Sequence, residues 1–419
     1  MSLNNNKTGF YSAFLFLVWP LFALFTAFWN YKSKWGKNVL WAFVAFYGFS
    51  FAIGAENDGA DIVRYVAEVE QLHGVNMTVT DAVDYFLESG EVDILRTFIA
   101  VTLSRVTGSQ AIVTLVYGII FGFFFSRNMW YVLKNMEGKV QLITIVLFCC
   151  FFLTVSIWKM NGFRFWTATH VFIYGLLPYL FEGKKSGVLI ASLAILVHFA
   201  FIVPVGILYG YMVAGNRLTL YFIFFLLTFF ITEINLTVFN NIVENYAPEI
   251  IQERTSGYRS EASVEQYRGG GGSSGRVWYA RYYGTALRWA IKGFLLVLFF
   301  QGRTFFNNNK RWLSFYSFTL FFYGMASLLS SLPSGGRFLA VANLLALALI
   351  TLYVQNREHQ VIMKRFIIAA TPLLLLYVVV AFRMGLYSMS ATAILGNPFI
   401  ALFMNGENIS LNDALKMFL

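Results

Sequence analysis

The strongest constraint on this chain is the recurrence of nearly uncharged apolar runs of about 20 residues along most of its length. They lie at about 9–30, 38–54, 110–127, 140–158, 163–181, 218–236, 282–301, 312–331, 338–355 and 366–385. At 1.5 Å per helical residue, such a run matches a hydrocarbon core roughly 30 Å thick. The runs do not alternate apolar and polar residues, as the strands of a transmembrane barrel would. The expected fold is therefore all-α: a polytopic transmembrane helical bundle of about 10–13 membrane helices, counting short re-entrant ones. Composition agrees, with 58% hydrophobic and only 12% charged residues, against roughly 25% charged in soluble domains. A single integral membrane domain, 1–419, is expected, because no polar stretch is long enough to fold separately.

Three stretches interrupt this pattern. The segment 55–108 is expected to be external and to include a re-entrant or amphipathic helix. Its part 92–107 has a helical period but carries Asp93, Arg96 and Arg105, too many charges for a lipid-facing span. Residues 186–215 hold His198 in mid-run and Pro204 soon after, which predicts two short or re-entrant helices meeting near His198. The longest polar stretch, 237–281, contains Arg268-Gly269-Gly270-Gly271-Gly272-Ser273-Ser274-Gly275-Arg276. No strand precedes this glycine run and no Gly-Lys-Ser/Thr ends it, so it is not a phosphate-binding P-loop. A loop of this length reads as a lid or substrate-binding element. Phe10 to Trp29 is too long and too aromatic for a cleaved signal segment, and is expected to be retained as the first helix. Cys149 and Cys150 are adjacent in an apolar run and read as packing residues.

The formal net charge of +10 is an orientation signal, and no nucleic-acid partner is expected. Lys32, Lys34 and Lys37, then Arg127, Lys134 and Lys139, then Lys184 and Lys185, fall on one side of the bilayer, as do Arg303, Lys310, Arg311, Arg357, Lys364 and Arg365. By the positive-inside rule that side is the cytoplasm. The other side is rich in arginine, including Arg64, Arg164, Arg276, Arg281 and Arg337. Arginine offers a rigid fork of donors that matches phosphate, whereas lysine is a point charge. The alternatives for each arginine are pairing with external acids or snorkelling to the interface.

Two external helix mouths place an arginine just after glycine. They are Asn161-Gly162-Phe163-Arg164 and Pro333-Ser334-Gly335-Gly336-Arg337-Phe338. A helix N-terminus adds free N–H groups and partial positive charge, so both mouths point at an anion such as a diphosphate. Asn161, Ser334 and Gly336 are candidate substrate contacts. Lys159 is either a further phosphate contact or an interfacial anchor. A third motif, Gly59-Ala60-Asp61-Ile62-Val63-Arg64-Tyr65, follows the second span. His198 and Asp61 are the candidate general bases, and His170 is a weaker one. There is no HExxH and no acidic metal signature, so neither a metal nor another cofactor is indicated.

The order of these features resembles the EpsG/Wzy group of bacterial polysaccharide polymerases, related to O-antigen polymerases and ligases. The features are the Asp61…Arg64-Tyr65 motif, Asn-Gly-Phe-Arg at a later mouth, an apolar helix ending in His198, a long external loop, and Ser-Gly-Gly-Arg-Phe near the end. The family often has Asn-Gly-Ile-Arg-Gln, where this chain has Phe163 and Phe165. The resemblance covers roughly 35–385 and implies a GT-C-like glycosyltransferase of the cytoplasmic (inner) membrane whose site faces the periplasm or cell exterior. It would polymerise undecaprenyl-diphosphate-linked repeat units into an O-antigen, capsule or exopolysaccharide, without metal and with inversion. Donor and acceptor would both be undecaprenyl-diphosphate-linked oligosaccharides, with a chain-length regulator and a flippase as further partners. By residue, Arg164 and Arg337 would hold the donor diphosphate, assisted by Arg64 and Arg281, and His198 or Asp61 would be the base. An O-antigen ligase is the nearest alternative. A flippase of lipid-linked sugars is the next, although the clustering of charge on one face disfavours a path through the bilayer.

Overall fold

A computed structural model describes residues 2–52, 61–75, 78–88, 93–231, 240–241, 244–245, 252, 277–358, 360–404 and 408–417. Arg276, Gly59, Ala60 and most of the 237–281 loop lie outside the described residues. Those described are helical apart from short turns and one isolated bridge, Ser390 to Ser410. The chain is therefore an all-α polytopic bundle. Among the described residues, six helical segments are long and apolar enough to cross a membrane.

The helices run in this order: α1 Ser2–Val18, α2 Pro20–Trp29, α3 Gly36–Phe49, α4 Asp61–His73, α5 Val79–Glu88, α6 Ile94–Ser104, α7 Gln110–Lys134 and α8 Leu142–Thr154. A 3-10 turn, Ile157–Gly162, leads into α9 Phe163–Glu182. Short helices follow: α10 Ser186–Ser192, α11 Ala194–Val197, a 3-10 turn Phe199–Phe201, α12 Ile202–Ala214 and α13 Leu218–Leu227. The long helices α14 Trp278–Asn308, α15 Lys310–Leu329, α16 Gly336–Asn356 and α17 Val361–Leu386 complete the bundle, and α18 Ala391–Leu395, α19 Pro398–Phe403 and α20 Leu411–Lys416 close the chain.

Several spans differ from the sequence reading. The first, 9–30, is two helices that meet at Trp19, which is extended (φ −151°, ψ 95°). Pro20 cannot supply the N–H a continuous helix needs and its ring would strike the carbonyl four residues back, so it opens α2 instead. The C-terminal segment packs back onto this break, where the Trp19 indole N–H donates to the Ile394 carbonyl (2.8 Å). The run 140–158 is helical only to Thr154, and the last described helix in 218–236 ends at Leu227.

Lipid tails are as apolar as leucine, so helices in a membrane associate through close packing rather than hydrophobic burial. α9 and α10 meet backbone to backbone. A Cβ on Gly175 would lie 2.3 Å from the Gly187 carbonyl oxygen and 2.4 Å from the Ala191 nitrogen. Gly175→Val should separate the two helices and destabilise the fold by about 3 kcal/mol, at the upper end of overpacking costs. A thermal melt in detergent checks this. The central helix is α16, with 83% of its apolar stretch buried, against 33% for the peripheral α17.

α9 organises the two ends. Arg164 stands in its first turn, and Glu182 ends it among Lys134 and Lys184. The lysine-rich end and the arginine end are thus about 27 Å apart along one helix axis.

Candidate active site

The arginine end is assembled from breaks in helices rather than from helix interiors. The α8–α9 junction cannot continue as one helix. Val155 is extended in character (φ −130°, ψ 75°) and the 3-10 turn begins only at Ile157. The Val155 carbonyl, freed by this break, accepts from Nε2 of His170 (3.1 Å), and His170 Nδ1 accepts from the Asn128 amide (3.2 Å). Both ring nitrogens of His170 are therefore in use, and its role is to hold the junction. The turn above it presents Lys159 and Asn161 beside Arg164.

A second break gives His198 its position. α11 stops at Val197, and His198 is extended (φ −152°, ψ 119°) before the 3-10 turn. Pro204 then sits in the first turn of α12, where its missing N–H costs nothing.

Asp93 joins the two breaks. It occupies the N-cap of α6 but makes no capping bond to that helix. Its carboxylate, only 3% exposed, turns to three donors from elsewhere. Arg164 Nη1 donates to Oδ2 (2.9 Å), the Phe199 backbone N–H donates to Oδ1 (2.8 Å), and His198 Nδ1 lies 3.0–3.1 Å from the two oxygens. Burial pushes the Asp93 carboxyl up, but the His198 contact, the Phe199 N–H and the Arg164 charge outweigh it and hold it below the usual carboxylate range. An ionised Asp93 makes Nδ1 the protonated nitrogen of a neutral His198 and leaves Nε2 as the proton acceptor. Among the described residues, Nε2 has no hydrogen-bond partner.

Tyr65, on α4, completes the support of Arg164. Its hydroxyl accepts from Arg164 Nε (2.7 Å), and its ring lies 5.4 Å from the guanidinium carbons of both Arg164 and Arg96. Arg96, 6% exposed, pairs with Glu68, which also accepts from the Tyr85 hydroxyl (3.0 Å). Arg164 is thus spread over two different partners, as its forked geometry allows.

Phe165 links this group to the second glycine–arginine mouth. Its ring lies 5.6 Å from the His198 ring, 5.8 Å from the Phe338 ring and 5.7 Å from the Arg337 guanidinium. The phenylalanine standing where the family often has glutamine is therefore a buried platform between the candidate base and Arg337. Lys159 lies 5.3 Å from the Trp166 ring and within the electrostatic reach of Arg337. Among the described residues, neither Lys159 nor Arg337 has a carboxylate partner. The Asn161 side-chain oxygen is buried nearby on the same turn, also without a partner among them. Like charges with no counter-ion are stabilised by an anion that joins them. Gly335 and Ser334 shape the approach to Arg337. Ser334 takes a left-handed conformation (φ 62°), and Gly335 is packed against the Leu329 carbonyl. Gly336 is the first residue of α16.

The remaining candidates stand apart. Asp61 and Arg64 pair with each other across the first turn of α4, and Arg64 is largely exposed. Arg281 is exposed in the first turn of α14 and packs over its neighbour Tyr282 (5.4 Å). No contact among the described residues joins it to His198 or Arg164. Asp93, Arg96 and Glu68 were not among the sequence candidates. The signal that could have found Asp93 and Arg96 was present, since acidic and basic residues inside the otherwise apolar segment 92–107 need partners. Among the described residues, no three His, Cys, Asp or Glu side chains lie together as a metal site.

Comparisons with curated proteins and with solved structures gave no match. The EpsG family profile matches residues 39–391, a stretch that holds Tyr65, Asp93, Lys159, Arg164, His198 and Arg337, and the chain therefore belongs to the EpsG family.

Proposed function

We propose that this protein is a membrane glycosyltransferase that joins undecaprenyl-diphosphate-linked oligosaccharide repeat units on the external face of the cytoplasmic membrane. The observation that carries the reading is the Asp93–His198 pair set one ring away from Arg337. It supplies an oriented base beside cations that have no carboxylate partner among the described residues. Family membership supports a polysaccharide polymerase role.

The chemistry follows from these positions. The acceptor sugar hydroxyl attacks the anomeric carbon of the donor, and its proton passes to His198 Nε2 as the new glycosidic bond forms. The bond from that carbon to the diphosphate oxygen breaks, and its electron pair leaves with the lipid diphosphate. Lys159 and Arg337 meet the charge that develops on that oxygen, which is where fixed cations accelerate a reaction most. Asp93 stays ionised and stabilises the imidazolium that forms. A single in-line attack inverts the anomeric centre.

The test is complementation of a deletion strain that makes the surface polymer. His198→Ala and Arg337→Ala should each reduce polymer formation by about 10²-fold or more and leave a single repeat unit in place of a length ladder. Arg164→Lys should do the same, because a single ammonium cannot replace donors aimed at both Tyr65 and Asp93. A full ladder from all three variants would overturn the assignment.

A further inference from the structure

The opposite end of the molecule carries a second feature that polymerisation does not use. A cavity of about 450 Å³ opens at the lysine-rich end, within the usual range of ligand pockets. Five lysines and Arg127 line it, against one acid, Glu182. They come from separate parts of the chain: Lys32, Lys34 and Lys37 around the start of α3, Arg127 and Lys134 on α7, and Lys184 after α9. Glu182 is shared by Lys134 (3.8 Å) and Lys184 (2.5 Å), and Arg127 is held by Asn38 and Ser126. Lys32, Lys34 and Lys37 have no carboxylate partner among the described residues. The positive-inside rule asks only for cations in the loops on one side. It does not ask three segments to converge on one concavity.

An apolar groove of about 770 Å³ adjoins this cavity. It runs between α2, α8 and α17, past Phe28, Ile145, Phe148 and Cys149. Tyr31 belongs to the walls of both cavities, and Phe28 of the groove stacks on Trp130 of the lysine cavity (5.4 Å). A polycationic recess joined to an apolar channel is complementary to an amphiphile with a negative head.

We propose that this end binds one anionic phospholipid from its own leaflet. Its phosphate sits against Lys32, Lys37 and Lys134, and an acyl chain lies in the part of the groove beside Phe28 and Phe148. The charge pattern favours this occupant over a zwitterionic lipid, whose choline would meet the same lysines unfavourably. The site lies about 27 Å along α9 from Arg164, and the proposal stands independently of the polymerase reading.

Native mass spectrometry of the purified full-length chain, with phosphatidylglycerol, phosphatidylcholine and a polyisoprenyl phosphate offered at equal concentration, tests it. Phosphatidylglycerol should be retained at least fivefold over phosphatidylcholine. The ratio should fall to about one in K32Q/K37Q/K134Q and stay unchanged in Arg164→Lys. Cys149→Trp, which fills the groove, should lower retention of both phospholipids. Should the triple lysine variant fail to fold, salt on the unmodified chain serves instead, since raising it from 0.05 to 0.5 M screens a lysine–phosphate contact and should reduce the preference. Equal retention of the two phospholipids, a salt-independent preference, or displacement of phosphatidylglycerol by the polyisoprenyl phosphate would each overturn the proposal.

Discussion

Asp93→Asn is expected to reduce polymer formation by about 10³-fold, within the range for losing an oriented general base. The substitution keeps the volume and removes the charge. Three donors converge on the two carboxylate oxygens: the Phe199 N–H, Arg164 Nη1 and His198 Nδ1. An amide offers one oxygen and one NH2, so at least one donor must face another donor. If His198 responds by moving its proton to Nε2, the nitrogen proposed to take the acceptor's proton no longer accepts. Arg164 would also lose its counter-ion, and breaking a buried pair from one side costs about 3–5 kcal/mol. Arg164 is partly exposed, so the lower part of that range applies to its share. The length ladder measures the first effect and a thermal melt the second. The pH dependence separates them. The Asp93 carboxyl is held below its ordinary value in the fold, so its stabilisation is fully present above the unfolded value near 4. It is lost as pH falls through the folded value. The unmodified chain should lose stability on acidification below about pH 4, and Asp93→Asn should be flatter there. Equal acid sensitivity in both would show that the carboxylate is not stabilised as described.

Gly335→Ala is expected to have the largest structural effect at the site. A Cβ there would lie 1.8 Å from the Leu329 carbonyl oxygen and 2.7 Å from its carbon. Both are backbone atoms of the last residue of α15, so no rotamer change relieves the clash. The turn must open, at a cost of about 3 kcal/mol or more. Arg337, two residues on, moves with it, so the fraction that folds should also lose most of its transfer activity. Ser334→Gly is the matching control. Ser334 already holds a left-handed conformation (φ 62°) that glycine adopts freely, and it should gain about 1 kcal/mol while leaving Arg337 in place. A melting temperature unchanged by Gly335→Ala would contradict the close approach.

The all-α bundle, the rough positions of its apolar helices and the separation of lysine and arginine ends were legible in the sequence, because each depends on local composition, whereas the breaks at Trp19 and Val155 were not. A run of about 20 apolar residues has few alternatives in a bilayer. The break at His198 was legible too, from a polar ring and Pro204 interrupting one apolar run. Asp93 was harder to read. Its neighbours in sequence are an apolar helix, and its partners lie 71 and 105 residues away. Nothing in its local pattern says whether it caps α6 or turns away from it.

Arg164, the residue between two apolar runs, shows the division best. Its place at a helix mouth follows from Gly162 and from the apolar residues on either side, and so from sequence alone. That its guanidinium is shared between Tyr65 and Asp93, while Lys159 and Arg337 on the same end have no carboxylate partner among the described residues, was decided by tertiary packing. Apolar periodicity places a residue along the membrane normal. Only the packing of α4, α6 and α11 against the α8–α9 junction determines which charges meet at that depth, since an ion pair depends on distance in space and leaves no period in the chain.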